Sequence, residues 1–194
     1  MKKVIKILIN VLIVAVIAAI VGRIILNDVY PKKMTEYLWS EEAKEAYSKD
    51  ESSFRVYTQE PHVFITSDGK FAIDSFYYTP ELSEVQITVR YNNSTVEKLK
   101  SERPGEDISD APFIFKLSDD KGNVYNPKVQ SDMKMSVYNY SKLVFSDVDV
   151  SSLSTLFVDM TVNSDQSIYS SLIIYESELA LEEVKYSKLV KSLD

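Results

Sequence analysis

The chain has no cysteine, one histidine (His62), one tryptophan (Trp39) and four glycines in 194 residues. Without cysteine there is no disulfide, no thiolate metal site, no thiol nucleophile and no lipidated cysteine. A single histidine supplies at most one imidazole ligand; beside Pro61 at the start of a strand it reads as a surface residue. Three glycines, Gly69, Gly105 and Gly122, lie beyond residue 26. Each stands alone among turn-forming residues, so no glycine-rich phosphate loop of the dinucleotide or P-loop kind can be drawn. No internal repeat and no low-complexity tract occurs. Positive charge is also in deficit: 22 Lys and Arg against 29 Asp and Glu give −7. Lys2, Lys3, Lys6 and Arg23 lie in the first 26 residues, which hold no acid, so the remainder carries −11. That balance argues against a nucleic-acid partner and against a basic reader of membrane surfaces.

What is present in quantity is hydrophobic. Residues 4–26 form an apolar run broken only by Lys6, Asn10 and Arg23. As a helix it covers roughly 34 Å, against about 30 Å for a bilayer core. Lys6 and Arg23 lie near its ends, where their long stems reach the headgroups. Apolar residues surround every face, unlike an amphipathic core helix. A cleaved signal peptide is the rival, with Lys2, Lys3 and Lys6 as the basic segment and 11–22 as the apolar one. A cut after Ala18 leaves Val16 at the −3 position and a greasy new N-terminus, which favours an uncleaved signal anchor. Basic residues on the two flanks tie. The short basic tail before the span places the N-terminus in the cytoplasm and the C-terminal domain outside it.

Residues 27–53 read as a juxtamembrane helical stalk. Tyr30, Tyr37 and Trp39 sit where an interfacial aromatic belt belongs. Ser40 followed by Glu41 and Glu42 predicts a capped helix start, within a helix over about 33–48. From residue 54 onward the many Val, Ile, Tyr and Phe favour strands. Phe54, Val56 and Thr58 alternate with polar neighbours. Residues 62–66 and 71–78 flank the turn Ser67-Asp-Gly-Lys70. In 85–91, Val85, Ile87, Val89 and Tyr91 face one way and Gln86, Thr88 and Arg90 the other. Residues 92–111 read as a mobile polar loop. Further strands are expected at 113–117, 124–129, 133–140, 143–148, 156–162 and 168–175, with a strand or short helix in 179–193. About eight short strands at 8–12-residue spacing describe an antiparallel two-sheet sandwich over 54–178, followed by a strand or tail over 179–194. Val85, Ile87, Val89, Phe113, Phe115, Leu156, Val158 and Met160 are expected to share one core.

Val85-Gln-Ile-Thr-Val-Arg-Tyr-Asn92, Phe115-Lys-Leu-Ser-Asp-Asp-Lys-Gly-Asn-Val-Tyr125, Leu143-Val-Phe-Ser-Asp-Val-Asp149 and Leu156-Phe-Val-Asp-Met160 follow one another in a familiar order. Over about residues 70–176 the chain resembles the immunoglobulin-like domain of unknown function found on bacterial lipoproteins and membrane-anchored envelope proteins. The resemblance implies an all-β immunoglobulin-like sandwich outside the cytoplasm and supplies no catalytic residues. The chain departs from the lipoprotein members in having a helical anchor and no lipidated cysteine.

Candidate chemistry is sparse. Asp147-Val-Asp149-Val-Ser opens like a calcium loop but has Ser152 and Val158 where glycine and glutamate belong. Asp119, Asp120 and Asn123 suit a hairpin turn. Asn92, Asn93 and Asn139 begin N-x-S/T triplets, relevant only to a eukaryotic secretory route. Tyr57, Tyr77, Tyr78, Tyr138, Tyr140 and Tyr169 are candidates for stacking on sugars, or for covering sheet faces. No catalytic, metal or cofactor residue is assigned. The sequence favours a non-catalytic envelope module held in the membrane by residues 4–26 and binding another envelope protein. Binding of a small ligand or cell-wall glycan is the alternative, and an envelope enzyme is the least supported.

Overall fold

The computed structural model describes residues 2–29, 31–59, 70–162 and 165–189, with the side chains of 9–22 in the first helix. In chain order the elements begin with helices α1 (Lys2–Val29), α2 (Lys32–Thr35) and α3 (Glu41–Lys49). Strands β1 (Tyr57–Thr58), β2 (Phe71–Thr79) and β3 (Glu84–Asn92) follow, then α4 (Asn93–Glu102). The chain continues through β4 (Phe113–Asp119), β5 (Val124–Tyr125), β6 (Val129–Lys134), β7 (Tyr138–Phe145), β8 (Thr155–Val162) and β9 (Asp165–Glu176). It closes with β10 (Glu182–Glu183) and α5 (Tyr186–Leu189).

The strands form two antiparallel sheets. One has six strands in the order β10-β1-β2-β3-β7-β6, the other four in the order β5-β4-β8-β9. Strand period sets the facing. On β3, Val85, Ile87, Val89 and Tyr91 are buried between the sheets, opposite alternate residues of β4 and β8. All eight residues expected to share one core do so. The register Ile87↔Leu143 and Phe115↔Met160 puts apolar pairs opposite each other on the inner faces. A bulge between Ile73 and Ser75 turns Asp74 to the outer face beside Arg90.

Four expectations need correction. Residues 92–111 are not a loop: α4 buries Thr95, Val96 and Leu99, and Val96 and Leu99 join the main core with Ile108. Val96 and Leu99 are spaced i, i+3, one helical face, and this pair was masked by the charges around it. Asp110 accepts from Lys134 (2.7 Å) and Lys100 (2.9 Å), tying this connection to β6; those two bonds hold its carboxyl down to about 2. The expected strand 124–129 is two pieces. Val124–Tyr125 belongs to one sheet, and past Pro127 the chain crosses to the other, where Val129 opens β6. The expected 133–140 straddles a hairpin closed by Met135 N–H to the Tyr138 carbonyl (2.9 Å). The single helix expected over 33–48 is interrupted: Glu36 and Ser40 are extended, and Ser40 caps α3 by accepting from Ala43 N–H at 3.1 Å. The strand expected at 62–66 and its turn lie outside the described residues, as does His62. The ambiguous end contains both a strand and a helix, β10 and α5.

Helix α1 coincides with the apolar run. Its 28 residues make about 42 Å of helix. Ile9, Val11, Leu12, Ile13, Val14, Val16, Ile17, Ile20 and Val21 are all exposed. Among the described residues no helix is long and apolar enough to cross a membrane; the described side chains of α1, 9–22, cover only about 21 Å.

Candidate functional site

Residues 31–40 are not a free stalk. They lie as a strap across the outer face of the six-stranded sheet, held by polar side chains that alternate with the core residues of β2, β3 and β7. The Thr88 hydroxyl donates to the Met34 carbonyl and accepts from Ser75 (2.8 Å). Tyr77 donates to the Thr35 carbonyl at 2.9 Å. Lys142 donates to the Glu36 carbonyl. The Gln86 amide grips Leu38 from both sides: Leu38 N–H donates to Oε1 and Nε2 donates to the Leu38 carbonyl, each at 2.8 Å. The Tyr37 and Thr79 hydroxyls share a hydrogen bond of 3.0 Å. The end of α2 and the extended residues that follow it carry backbone donors and acceptors that must be satisfied once covered. Here side chains do what a neighbouring strand would do.

The strap continues into a second apolar cluster of Tyr37, Trp39, Ala43, Phe54, Val56 and Leu189. Trp39 stacks on Phe54 (centroids 5.5 Å apart), meets Tyr37 edge-on at 5.3 Å and donates its indole N–H to the Leu189 carbonyl at 3.1 Å. Tyr37 and Trp39, expected in an interfacial belt, are thus buried against the domain. Tyr30 lies outside the described residues.

Along the strap is a half-open pocket of 340 Å³ lined by Lys33, Glu36, Tyr37, Leu38, Trp39, Lys44 and Lys142. Lys142 is buried, and burial pushes its ammonium down to about 8, against the opposing pull of the Glu36 charge. Burial likewise raises the Glu84 carboxyl and the Tyr37 and Tyr77 phenols. A second groove, of 530 Å³, runs between Phe54, Val56, Val184 and Leu189, with the Arg55–Glu183 ion pair (3.1 Å) on its wall.

Arg90 is expected on a solvent face, but it is half-buried. Its Nε donates to both carboxylate oxygens of Asp74 (3.0 and 2.9 Å), and its guanidinium lies 4.5 Å from the centroid of the Tyr138 ring. The sugar-stacking candidates are packed within the protein. Tyr78 and Tyr140 are buried, Tyr57 packs on the main core, Tyr77 is bonded to the strap, Tyr138 lies under Arg90, and Tyr169 packs on Phe71 and Phe113.

The oxygen-rich turns serve the backbone. Asp119 accepts from Lys121 N–H, Asn123 N–H, the Asn123 amide and the Tyr125 hydroxyl at 2.8–3.0 Å, closing a hairpin in which Gly122 takes φ +84°. Asp149 caps a turn of 3₁₀ helix by accepting from the Ser151 N–H and hydroxyl, while Asp120 accepts from Ser154 N–H. Among the described residues no group of three acidic or histidine side chains is placed to hold a metal. Of the triplet asparagines, Asn139 is buried and Asn93 donates to the Met135 and Ser136 carbonyls.

Sequence reasoning missed the Lys142 cavity. A lysine among the apolar residues of β7 was its only signal, and the cover over it comes from residues about a hundred positions earlier. No protein-family model, no curated protein and no solved structure matches this chain.

Proposed function

We propose that this chain is a single-pass membrane protein, N-terminus cytoplasmic, whose immunoglobulin-like module outside the cytoplasm binds another envelope protein and catalyses no reaction. The continuous helical backbone of α1 over a run with apolar residues on every face supports the anchor. The strand order supports the immunoglobulin-like reading: β2-β3-β7-β6 against β5-β4-β8-β9 parallels the A-B-E-D and C′-C-F-G sheets, without their cysteine bridge.

One observation carries the binding reading. The strap covers β2, β3 and β7 on the outer face of the six-stranded sheet and leaves its edge strand β6 open, with Val129 37% exposed, whereas among the described residues no segment covers the central strands of the four-stranded sheet, which keeps apolar side chains in solvent. Ile114 is 38% and Ile168 64% exposed, and by register Phe157 and Ile173 lie on the same outer face. A photo-crosslinking residue at Ile114 in intact cells is expected to capture a protein partner, and one at Lys49 is not. Capture at neither position, or equally at both, removes the reading. A reporter active only outside the cytoplasm, fused after Asp194, tests the orientation; an inactive fusion reverses it.

A further inference from the structure

We propose that the half-open pocket formed by the strap, Lys44 and Lys142 binds the phosphate of an anionic phospholipid headgroup and seats the domain on the membrane from which α1 emerges. The lipid half of this rests on the anchor reading above.

The cavity gathers three lysines, Lys33, Lys44 and Lys142, against one acid, Glu36, in a domain that is otherwise strongly negative. Its 340 Å³ lies at the small end of ligand pockets, about 300–1,000 Å³. Lys142 supplies the chemical demand. It is 4% exposed, donates to the Glu36 carbonyl, and forms no ion pair with a described carboxylate. Glu36 pulls on this ammonium from within the pocket but makes no direct ion pair with it, and a buried ammonium so weakly compensated is costly. A phosphate oxygen is the missing partner, making a short, charge-assisted bond that a neutral ligand cannot match. Lys33 is exposed at the rim, and among the described residues Lys44 is held only by an exposed bond to Glu41 (2.9 Å), so both are available to a second and third phosphate oxygen.

Position decides the source of that phosphate. Lys33 follows the end of α1 at Val29 by four residues, which span at most about 14 Å. A cavity tethered that closely to a membrane helix meets headgroups before soluble anions. Leu38, 36% exposed, lies on the same rim, facing the same surroundings. The domain as a whole, at −11 with the pocket's own residues included, is repelled by an anionic surface. A localised lysine pocket therefore orients the domain instead of attracting all of it.

The test uses the full chain in lipid nanodiscs of phosphatidylcholine alone and of phosphatidylcholine mixed with phosphatidylglycerol. Amines are labelled by reductive methylation and read residue by residue by mass spectrometry. Labelling of Lys33 and Lys44 is expected to fall several-fold in the phosphatidylglycerol discs, with Lys32, adjacent but outside the cavity, changing much less. Lys142→Met keeps the buried stem and removes the ammonium; it is expected to abolish the difference. If circular dichroism shows that variant unfolded, Lys44→Gln, at an exposed position, takes its place and should weaken it. Equal labelling in the two lipids, or a difference that survives Lys142→Met in folded protein, overturns the proposal. A parallel arm adds glycerol phosphate in neutral detergent. Protection there as strong as in phosphatidylglycerol reassigns the cavity to soluble phosphate esters and overturns the lipid assignment. A chain that enters neither disc defeats the anchor reading and with it the lipid half. The glycerol phosphate arm then judges the cavity alone, with protection keeping an anion site and its absence removing it.

Discussion

The two sheets obey the same alternation, and their central strands meet opposite fates on the outer faces. On β3, Gln86 and Thr88 alternate with core valines and isoleucine and are themselves buried, because the strap lies over them. On β8, Asp159 and Thr161 alternate with Val158 and Met160 in the same way and stay half-exposed. Asp159 accepts from Ser118 and Ser171 across the strands, at 2.6 Å each, instead of from a covering segment. A polar residue at every second position therefore says that a face is not the main core. It does not say that the face is wet. The covered face differs in chemistry: its polar groups are aimed at the strap's backbone carbonyls, one of its amides and the Tyr37 hydroxyl, as burial demands.

The largest effects should come from what both sheets share. Phe115→Ala removes a fully buried ring from the common core and should cost about 3–5 kcal/mol in chemical denaturation. A cost under 1 kcal/mol would contradict the facing of both sheets. Trp39→Ala should approach that loss, again about 3–5 kcal/mol, if the strap is part of the folded unit. Hydrogen exchange adds the sharper readout: Leu38 N–H, bonded to Gln86, should lose protection in this variant while β4 and β8 keep theirs. Loss of protection everywhere would mean that strap and sandwich unfold as one.

Smaller effects separate the faces. Gln86→Ala removes both bonds to Leu38 and the one to the buried Glu84 carboxyl, leaving the Leu38 amide without its partner while the Leu38 carbonyl keeps Ser40 N–H, and should cost about 1–3 kcal/mol. Arg90→Ala should fall in the same range, because it strands Asp74 in a partly buried site. Lys116→Ala, on the open face, should stay within about 0.5 kcal/mol. Comparable losses at Gln86 and Lys116 would erase the distinction between covered and open sheets.

Lys142 gives the covered face a pH signature. Its folded value, about 8, lies below the ordinary lysine value of about 10.4, so between them the unfolded chain holds more protons. Stability should therefore rise from pH 8 to about 9.5, and the contribution should be flat below pH 8, where both states are charged. Below the tyrosine range the buried phenols do not yet oppose it. Lys142→Met should flatten the rise, as read by denaturant midpoints across that interval. A rise that persists in the variant assigns it to another group.

Much of the sandwich was legible because its signal is local. The two-residue period of 85–91 and 156–162 admits one facing, and a one-residue slip would put Arg90 or Asp159 into the core. The Ser40 cap was legible for the same reason, since its partner, Ala43 N–H, is three residues away. Helix α4 was missed although Val96 and Leu99 show the right spacing, because two apolar positions among many charges are a weak periodic signal. The crossing at Pro127 was missed because a change of sheet leaves little trace in alternation.

By itself the sequence determined the apolar run that becomes α1, the alternating strands, the turns at Asp119 and Asp149, and the exclusion of thiol chemistry. Each depends on residues a few positions apart, where backbone geometry fixes who meets whom. Only the tertiary structure decided that residues 31–40 are a strap, that Gln86, Thr88 and Lys142 are buried beneath it, and that Trp39 closes on Leu189. Those contacts join residues 48 to 150 positions apart. A tryptophan after an apolar helix looks the same in sequence whether a lipid surface or a sheet receives it. The sheet receives it here because it offers buried apolar area together with hydrogen-bond partners for the strap's own backbone.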